Sequence, residues 1–311
     1  MDRRLFLSLI AAFPSAAWAR RQVVSVDELI GAGERLLQEN VAPQWLEALP
    51  SIDQKRVADF LERFQLGLQG DQVIDLAPLK PLAASALPLL RAHPDTQPYA
   101  QWLETRLDYL DVAEQFRTSL RPPAPQPGKP PKPALNPTPV QQQRVWDEQI
   151  SKESQPREAT ELVPRLRKIF QKEGVPTALV WVAEVESSFK SGAKSPAGAV
   201  GLYQLMPQTA RTMGLSLFPR DQRLDPEKNA AAAARYLKSL HPKFREWRLT
   251  MAAYNWGPGN VRRLLEKRRA KTFDSIAVHL PAETQMYVPK VDAVLRRREQ
   301  TGLAQLPPPA R

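Results

Sequence analysis

The stretch Gly174-Val175-Pro176-Thr177-Ala178-Leu179-Val180-Trp181-Val182-Ala183-Glu184-Val185-Glu186-Ser187-Ser188-Phe189 decides the fold of this 311-residue chain. Pro176 fits the first position of a helix, where a missing N–H costs nothing. With about 100° of rotation per residue counted from Leu179, Ala183 falls near 40°, Glu186 near 340° and Val182 near 300°. Glu186 therefore lies in the middle of the apolar face, whereas Glu184, at about 140°, lies off it. A carboxyl on that face is desolvated, which disfavours its charged form and raises its pKa, as a general acid working near neutral pH requires. An apolar-face carboxylate can equally be tied to a buried arginine, so the residues around it must decide.

Outward from this stretch the pattern stays helical. Val26, Leu29, Ile30, Leu36 and Leu37 recur at helical spacing, as do Val57, Phe60, Leu61 and Phe64. Tyr99–Phe116 is amphipathic through Trp102, Leu103, Leu107, Leu110 and Val112. No strand–helix alternation appears, which argues against α/β folds and for an all-α chain. Residues 121–140 hold nine prolines and read as an extended spacer. At about 3.1 Å per residue it would span roughly 60 Å. The expected organisation is thus a helical amino-terminal domain over 20–120, a Pro-rich linker over 121–140, a catalytic domain over 141–300 and a Pro-containing tail over 301–311. The region 20–120 shows no catalytic constellation and reads as a packing or docking domain.

Composition narrows the chemistry. Cysteine is absent, which removes disulfides, thiolate nucleophiles, thiolate metal sites and a lipid-modified Cys. The three histidines, His93, His241 and His279, lack metal-ligand spacing, so neither a metal nor another cofactor is expected. The formal charge of +11 favours an anionic partner. No zinc-finger or RNA-binding signature accompanies it, so nucleic acid is not the expected one.

The first nineteen residues read as an address. Arg3 and Arg4 precede the apolar run Leu5–Phe13, and Ala17-Trp18-Ala19 has the small-x-small form of a cleavage site. Asp2-Arg3-Arg4-Leu5-Phe6-Leu7-Ser8 resembles the twin-arginine export motif, with the general secretory route as the alternative. Export to the periplasm or cell envelope is the expectation. No other stretch reads as approaching eighteen apolar residues, so no transmembrane segment is expected in the mature protein.

The residues after Glu186 settle its reading. Glu186-Ser187-Ser188-Phe189, then Ser195-Pro196-Ala197-Gly198-Ala199-Val200-Gly201-Leu202-Tyr203-Gln204-Leu205-Met206-Pro207, resemble the signature of family 1 lytic transglycosylases, the SLT-domain enzymes with a goose-lysozyme-like fold. Ala253-Tyr254-Asn255-Trp256-Gly257-Pro258-Gly259 and Leu280-Pro281-Ala282-Glu283-Thr284-Gln285-Met286-Tyr287-Val288 are similar to two further family motifs, in the same order. The resemblance covers roughly residues 160–298. It implies Glu186 as the single catalytic acid/base and Ser187 as the serine beside it. It implies Gln204 and Met206 lining the glycan groove, and Tyr254, Asn255, Glu283 and Tyr287 around the scissile bond and the peptide side.

Local chemistry supports this. Ser195-Pro196-Ala197-Gly198 is a turn signal, and Gly198 and Gly201 would let backbone approach a sugar. Pro207 reads as the start of the next helix. Gly257-Pro258-Gly259 would end the helix carrying Leu249, Met251 and Ala252, leaving Tyr254 and Asn255 at its terminus. Asp225-Pro226-Glu227 is read as an N-cap with proline at N1 rather than as catalytic carboxylates. Trp256, where the family usually has a small residue, is read as packing.

Ordinary glycosidases need two carboxylates. With one well-placed Glu, the expected reaction is cleavage of the MurNAc–GlcNAc bond of peptidoglycan strands with closure to 1,6-anhydro ends. A lysozyme-like hydrolase and an inactive peptidoglycan-binding protein are the alternatives. No lipid-anchoring Cys and no wall-binding repeats are seen, so 20–120 is the candidate for targeting or for contacts with other cell-wall proteins.

Overall fold

The structure, a computed structural model, describes residues 51–120 and 136–310. The expectations for the signal segment 1–19, for residues 20–50 and for most of the spacer fall outside the described residues. All described residues belong to one compact unit, Asn40–Arg311. They are helical, with no strand among them and only two isolated bridges, Lys194 with Val200 and Val200 with Leu205. The all-α expectation holds.

The amino-terminal layer comprises α1 (Ser51–Gln69), a 3₁₀ segment (Val73–Leu79), α2 (Lys80–Ala92), α3 (Gln97–Glu104) and α4 (Leu107–Ser119). Its core is built by Phe60 stacked on Phe64 at 5.5 Å and by Trp102 edge-on to Phe64 at 6.1 Å. By length and composition Val73–Ala92 is apolar enough to cross a membrane, contrary to the expectation that no such stretch exists. In the fold it is a 3₁₀ segment followed by a helix, with Val73, Leu76, Ala83, Leu87 and Leu90 buried.

After the spacer, α5 (Pro139–Ser151) opens with a capping box between Thr138 and Gln141 and with Pro139 at its start. The last residues assigned to the linker thus initiate a helix. Then follow α6 (Ala159–Lys172), a 3₁₀ segment (Thr177–Trp181), α7 (Val182–Ser187), α8 (Pro207–Thr212), a 3₁₀ turn (Gln222–Leu224), α9 (Pro226–Phe244), α10 (Trp247–Trp256), α11 (Pro258–Arg268), a 3₁₀ turn (Ala277–His279), α12 (Ala282–Glu299) and a last 3₁₀ turn (Leu303–Gln305). Several sequence signals act as expected. Pro207 starts α8, and Asp225 caps α9 by accepting from the backbone N–H groups of Glu227 and Lys228 at 3.0 Å, with Pro226 at the first helical position. Gly257, at φ 95°, ends α10.

Helix α12 is the hub. Residues 282 and 284–295 are buried, the polar ones included. Such a helix is enclosed on all sides, so its polar groups need internal partners. Lys290 shows the rule, with Nζ 2.6 Å from Asp108 Oδ2 and donating to the Thr105 carbonyl at 2.7 Å, over the Tyr109 and Trp146 rings. Gln285 donates to the Asp71 and Leu280 carbonyls at 2.8 and 2.7 Å. The amino-terminal layer is therefore welded to α12 by buried polar contacts as well as apolar packing. The tail is also fastened. Trp247 Nε1 donates to the Pro307 carbonyl at 3.0 Å, and the Ala310 N–H to the Gly174 carbonyl at 2.7 Å.

Candidate active site

Helix α7 delivers the central carboxyl. It is only six residues long and ends without glycine, with Ser188 and then Phe189 in the left-handed region at φ 49° and 60°. The N–H groups of Ser188 and Phe189 close onto the carbonyls of Glu184 and Ala183 at 3.0 and 3.2 Å, the bonding of a Schellman turn. A left-handed non-glycine residue costs about 1–2 kcal/mol. Burial of Phe189, edge-on to Trp181 at 5.6 Å, offsets that strain and fixes the helix end.

Glu186 is 5% exposed. One oxygen accepts from the Tyr287 hydroxyl at 2.6 Å, and no other hydrogen bond to the carboxyl is found among the described residues. Burial lifts the Glu186 pKa to about 7; Arg106 and the Tyr287 hydrogen bond pull it down, Glu283 pushes it up, and Lys290 also lowers it. A carboxyl with these properties is half protonated near neutrality and can both give and take a proton. Tyr287 and Tyr254 are both buried deeply enough to push their own pKa well above the usual phenol value, so they remain neutral donors. Tyr254 sits on the last turn of α10 and donates to the Tyr203 carbonyl at 2.7 Å.

Glu184 meets the fate that the wheel left open for Glu186. It is buried as well, and Arg298 grips it through two hydrogen bonds of 2.8 and 3.1 Å while lying over the Trp181 ring. The wheel placed Glu184 off the buried arc. That expectation fails because α7 is enclosed by other elements and has no solvent face. The helix also begins as 3₁₀ rather than α from Pro176, which alters the rotation per residue.

The loop between α7 and α8 packs against α7 and α10 through the Leu202 and Tyr203 carbonyls, and it is held from behind. Asn229, fully buried, accepts from the Tyr203 N–H at 2.9 Å and donates to the Arg223 carbonyl at 2.9 Å and the Val200 carbonyl at 3.3 Å. Arg223 donates to the Gly198 and Leu205 carbonyls at 2.9 Å while paired with Asp221. Gly201 must be glycine because an added Cβ would lie 2.1 Å from the Arg223 carbonyl oxygen, at a backbone φ of 90°. The expected reason, close approach to a sugar, is thus replaced by internal crowding. Gly198, at φ 88°, has open space where a Cβ would stand.

The other expected site residues fall in different settings. Ser187 is wholly buried and donates to the Leu202 carbonyl at 2.8 Å and the Ala183 carbonyl at 3.2 Å, tying α7 to the loop. Gln204, at φ 44°, donates to the Gly201 and Ala193 carbonyls at 2.9 and 3.1 Å, and its Oε1 is buried without a partner. Met206 is 40% exposed beside it in sequence. Asn255 accepts from Thr284 at 2.6 Å, joining α10 to α12, and Trp256 packs half-buried against the core as expected. Glu283 stands one turn before Tyr287 on α12.

Sequence reasoning missed Arg106. It comes from the turn before α4, is 7% exposed, and places Nε 3.5 Å from Glu283 Oε1. Its Nη1 donates to Thr105 Oγ1 at 2.8 Å and its guanidinium lies 4.7 Å from the Trp102 ring centre. Its position in a segment without catalytic motifs gave no signal.

Residues 166–277 match the family model of the transglycosylase SLT domain. The chain is 38% identical over 140 residues to membrane-bound lytic murein transglycosylase D of Escherichia coli (strain K12), covering 43% of this chain and 31% of that protein. It is 38% identical over 119 residues to the soluble lytic murein transglycosylase of the same organism, covering 35% of this chain and 18% of that one. The match thus spans less than a third of either relative's length. Among solved structures, an inactive mutant of a lytic transglycosylase from Pseudomonas aeruginosa is 21% identical and covers 89% of this chain and 51% of that one, with a TM-score of 0.41.

Proposed function

We propose that the chain is a lytic murein transglycosylase of the bacterial cell wall, with Glu186 as its single acid/base. The observation that carries this reading is the buried Glu186 carboxyl, raised to about 7 and, among the described residues, hydrogen-bonded only by a neutral tyrosine. The protonated acid donates to the glycosidic oxygen between N-acetylmuramic acid and N-acetylglucosamine, and the muramyl N-acetyl group assists departure. The resulting carboxylate takes the proton of the muramyl C6 hydroxyl as that oxygen closes on C1, forming a 1,6-anhydro end without consuming water.

Several features support the assignment. The SLT domain match includes Glu186, and both relatives named above are described as murein transglycosylases. The second carboxyl near the site, Glu283, is engaged by Arg106, and Glu184 by Arg298. Glu184, gripped by two hydrogen bonds, is not free to serve as the second carboxylate of a hydrolase. Gln204 and Met206 would line the glycan groove, with Tyr254, Asn255, Glu283 and Tyr287 around the scissile bond and the peptide side. Action on peptidoglycan, together with the basic, apolar and small-residue pattern of residues 1–19, implies export to the periplasm or envelope. Mass spectrometry of muropeptides released by the purified protein tests the reaction. Anhydro ends are expected, and hydrated reducing ends would make the protein a muramidase instead.

A further inference from the structure

We propose that Arg106, supplied by the helices preceding the SLT-matching stretch, is a positioning residue that provides a shared counter-charge for Glu283 and for the carboxylate form of Glu186. The inference rests on the reading of Glu186 as the acid, and it gives the amino-terminal layer a role inside the site.

A buried general acid faces a difficulty once it has donated its proton. The carboxylate left behind is poorly hydrated and needs a positive charge close by, or the proton will not leave. Tyr287 donates to Glu186 at 2.6 Å, and Glu283, one turn before Tyr287 on α12, pairs with Arg106 at 3.5 Å. The guanidinium and the two carboxyls therefore belong to one cluster, whose other electrostatic neighbours are Tyr109, Tyr254 and Lys290. The tyrosines are neutral. Lys290 is occupied by Asp108 at 2.6 Å and by the Thr105 carbonyl. That leaves Arg106. Its Nε stands 3.5 Å from Glu283 Oε1 and makes no hydrogen bond, so the ion pair is loose. The other face of the guanidinium is fixed by Trp102 and by the Thr105 hydroxyl, which hold it in place without neutralising it.

Two charge states follow. With Glu186 protonated, Arg106 and Glu283 form a neutral pair. With Glu186 ionised, the single guanidinium serves two carboxylates, which keeps the proton transfer reversible for the second half of the reaction. Lysine should preserve the charge at this position, whereas glutamine should not.

The test is residue-specific carboxyl NMR titration of the full chain, with the Glu186 signal assigned by its loss in Glu186→Gln. In Arg106→Gln the Glu186 midpoint should rise by about one pH unit or more. In Arg106→Lys it should stay near the wild-type value. In Glu283→Gln it should move the opposite way, downward, and this second variant keeps the test decisive if Arg106→Gln does not fold. A wild-type midpoint in Arg106→Gln, an equal shift in Arg106→Lys and Arg106→Gln, or an upward shift in Glu283→Gln would each overturn the proposal. Because the titration does not depend on turnover, its result stands apart from the functional reading, which fails instead if Glu186→Gln remains active.

Discussion

Glu184 and Glu186 are two residues apart on one short helix, are buried almost equally, and do different work. Glu184 faces Arg298 in a two-pronged ion pair stacked on Trp181. Glu186 faces Tyr287 and, by our proposal, the charge that Arg106 shares with Glu283. Burial by itself therefore does not make an acid catalyst. The difference lies in what the burial leaves nearby: a dedicated guanidinium commits a carboxylate to structure, whereas a neutral hydroxyl and a loose counter-charge leave it able to exchange a proton near neutrality.

Substitutions can break this comparison. The largest effect is expected for Glu186→Gln, which should lower the rate of glycan release by about 10²–10⁴-fold with the fold intact; residual activity near wild type, measured on purified sacculi, would remove Glu186 from the chemistry. Next in size, Arg298→Met should cost about 3–5 kcal/mol in denaturant unfolding because it strands a buried carboxylate. In whatever fraction remains folded, the alkaline limb of activity should keep its position, since Arg298 does not contact Glu186.

The same pair separates in stability. The native Glu186 pKa of about 7 lies above the unfolded value near 4.5, so between these pH values the native state holds more proton and stability falls as pH rises. The cost is absent below pH 4.5 and complete above about 7. Glu186→Gln should therefore be more stable than wild type by about 3 kcal/mol at pH 8 to 9 and equal to it at pH 4. Thermal or urea unfolding at both pH values checks this, and a variant less stable at pH 9 would contradict it. The smallest effect is a sharpening one. Tyr287→Phe removes the hydrogen bond that favours the carboxylate, so the alkaline limb of activity should move up by about one pH unit. A downward shift in the pH–rate profile would show that the hydroxyl stabilises the protonated form instead.

Much of the site was legible in the sequence because its signals are local. An Asp-Pro pair announced the start of α9, Gly257-Pro258 the end of α10, and the apolar spacing around Leu179 the burial of Glu186. What escaped was decided across space. Helical phase describes one face, and Glu184 is buried because neighbours enclose α7 on every side. Gly201 was assigned to ligand approach, but its neighbour is the Arg223 carbonyl, which follows twenty-two residues later and is brought there by the loop. Arg106 precedes Glu186 by eighty residues, with the proline-rich segment between them, so no spacing rule links the two. The amino-terminal layer reads in sequence as a packing or docking domain because it lacks motifs. The structure packs it against α12, with Arg106 paired to Glu283.

The proposed chemistry turns on the proton of Glu186, and the pH dependence of muropeptide release at limiting substrate measures it most directly. Wild-type protein should lose rate as pH rises, with a midpoint at about 7, because the protonated acid disappears there. A rate that falls instead with a midpoint near the ordinary glutamate value of about 4.5, or one that is flat between pH 5 and 9, would contradict a buried, elevated acid as the source of catalysis.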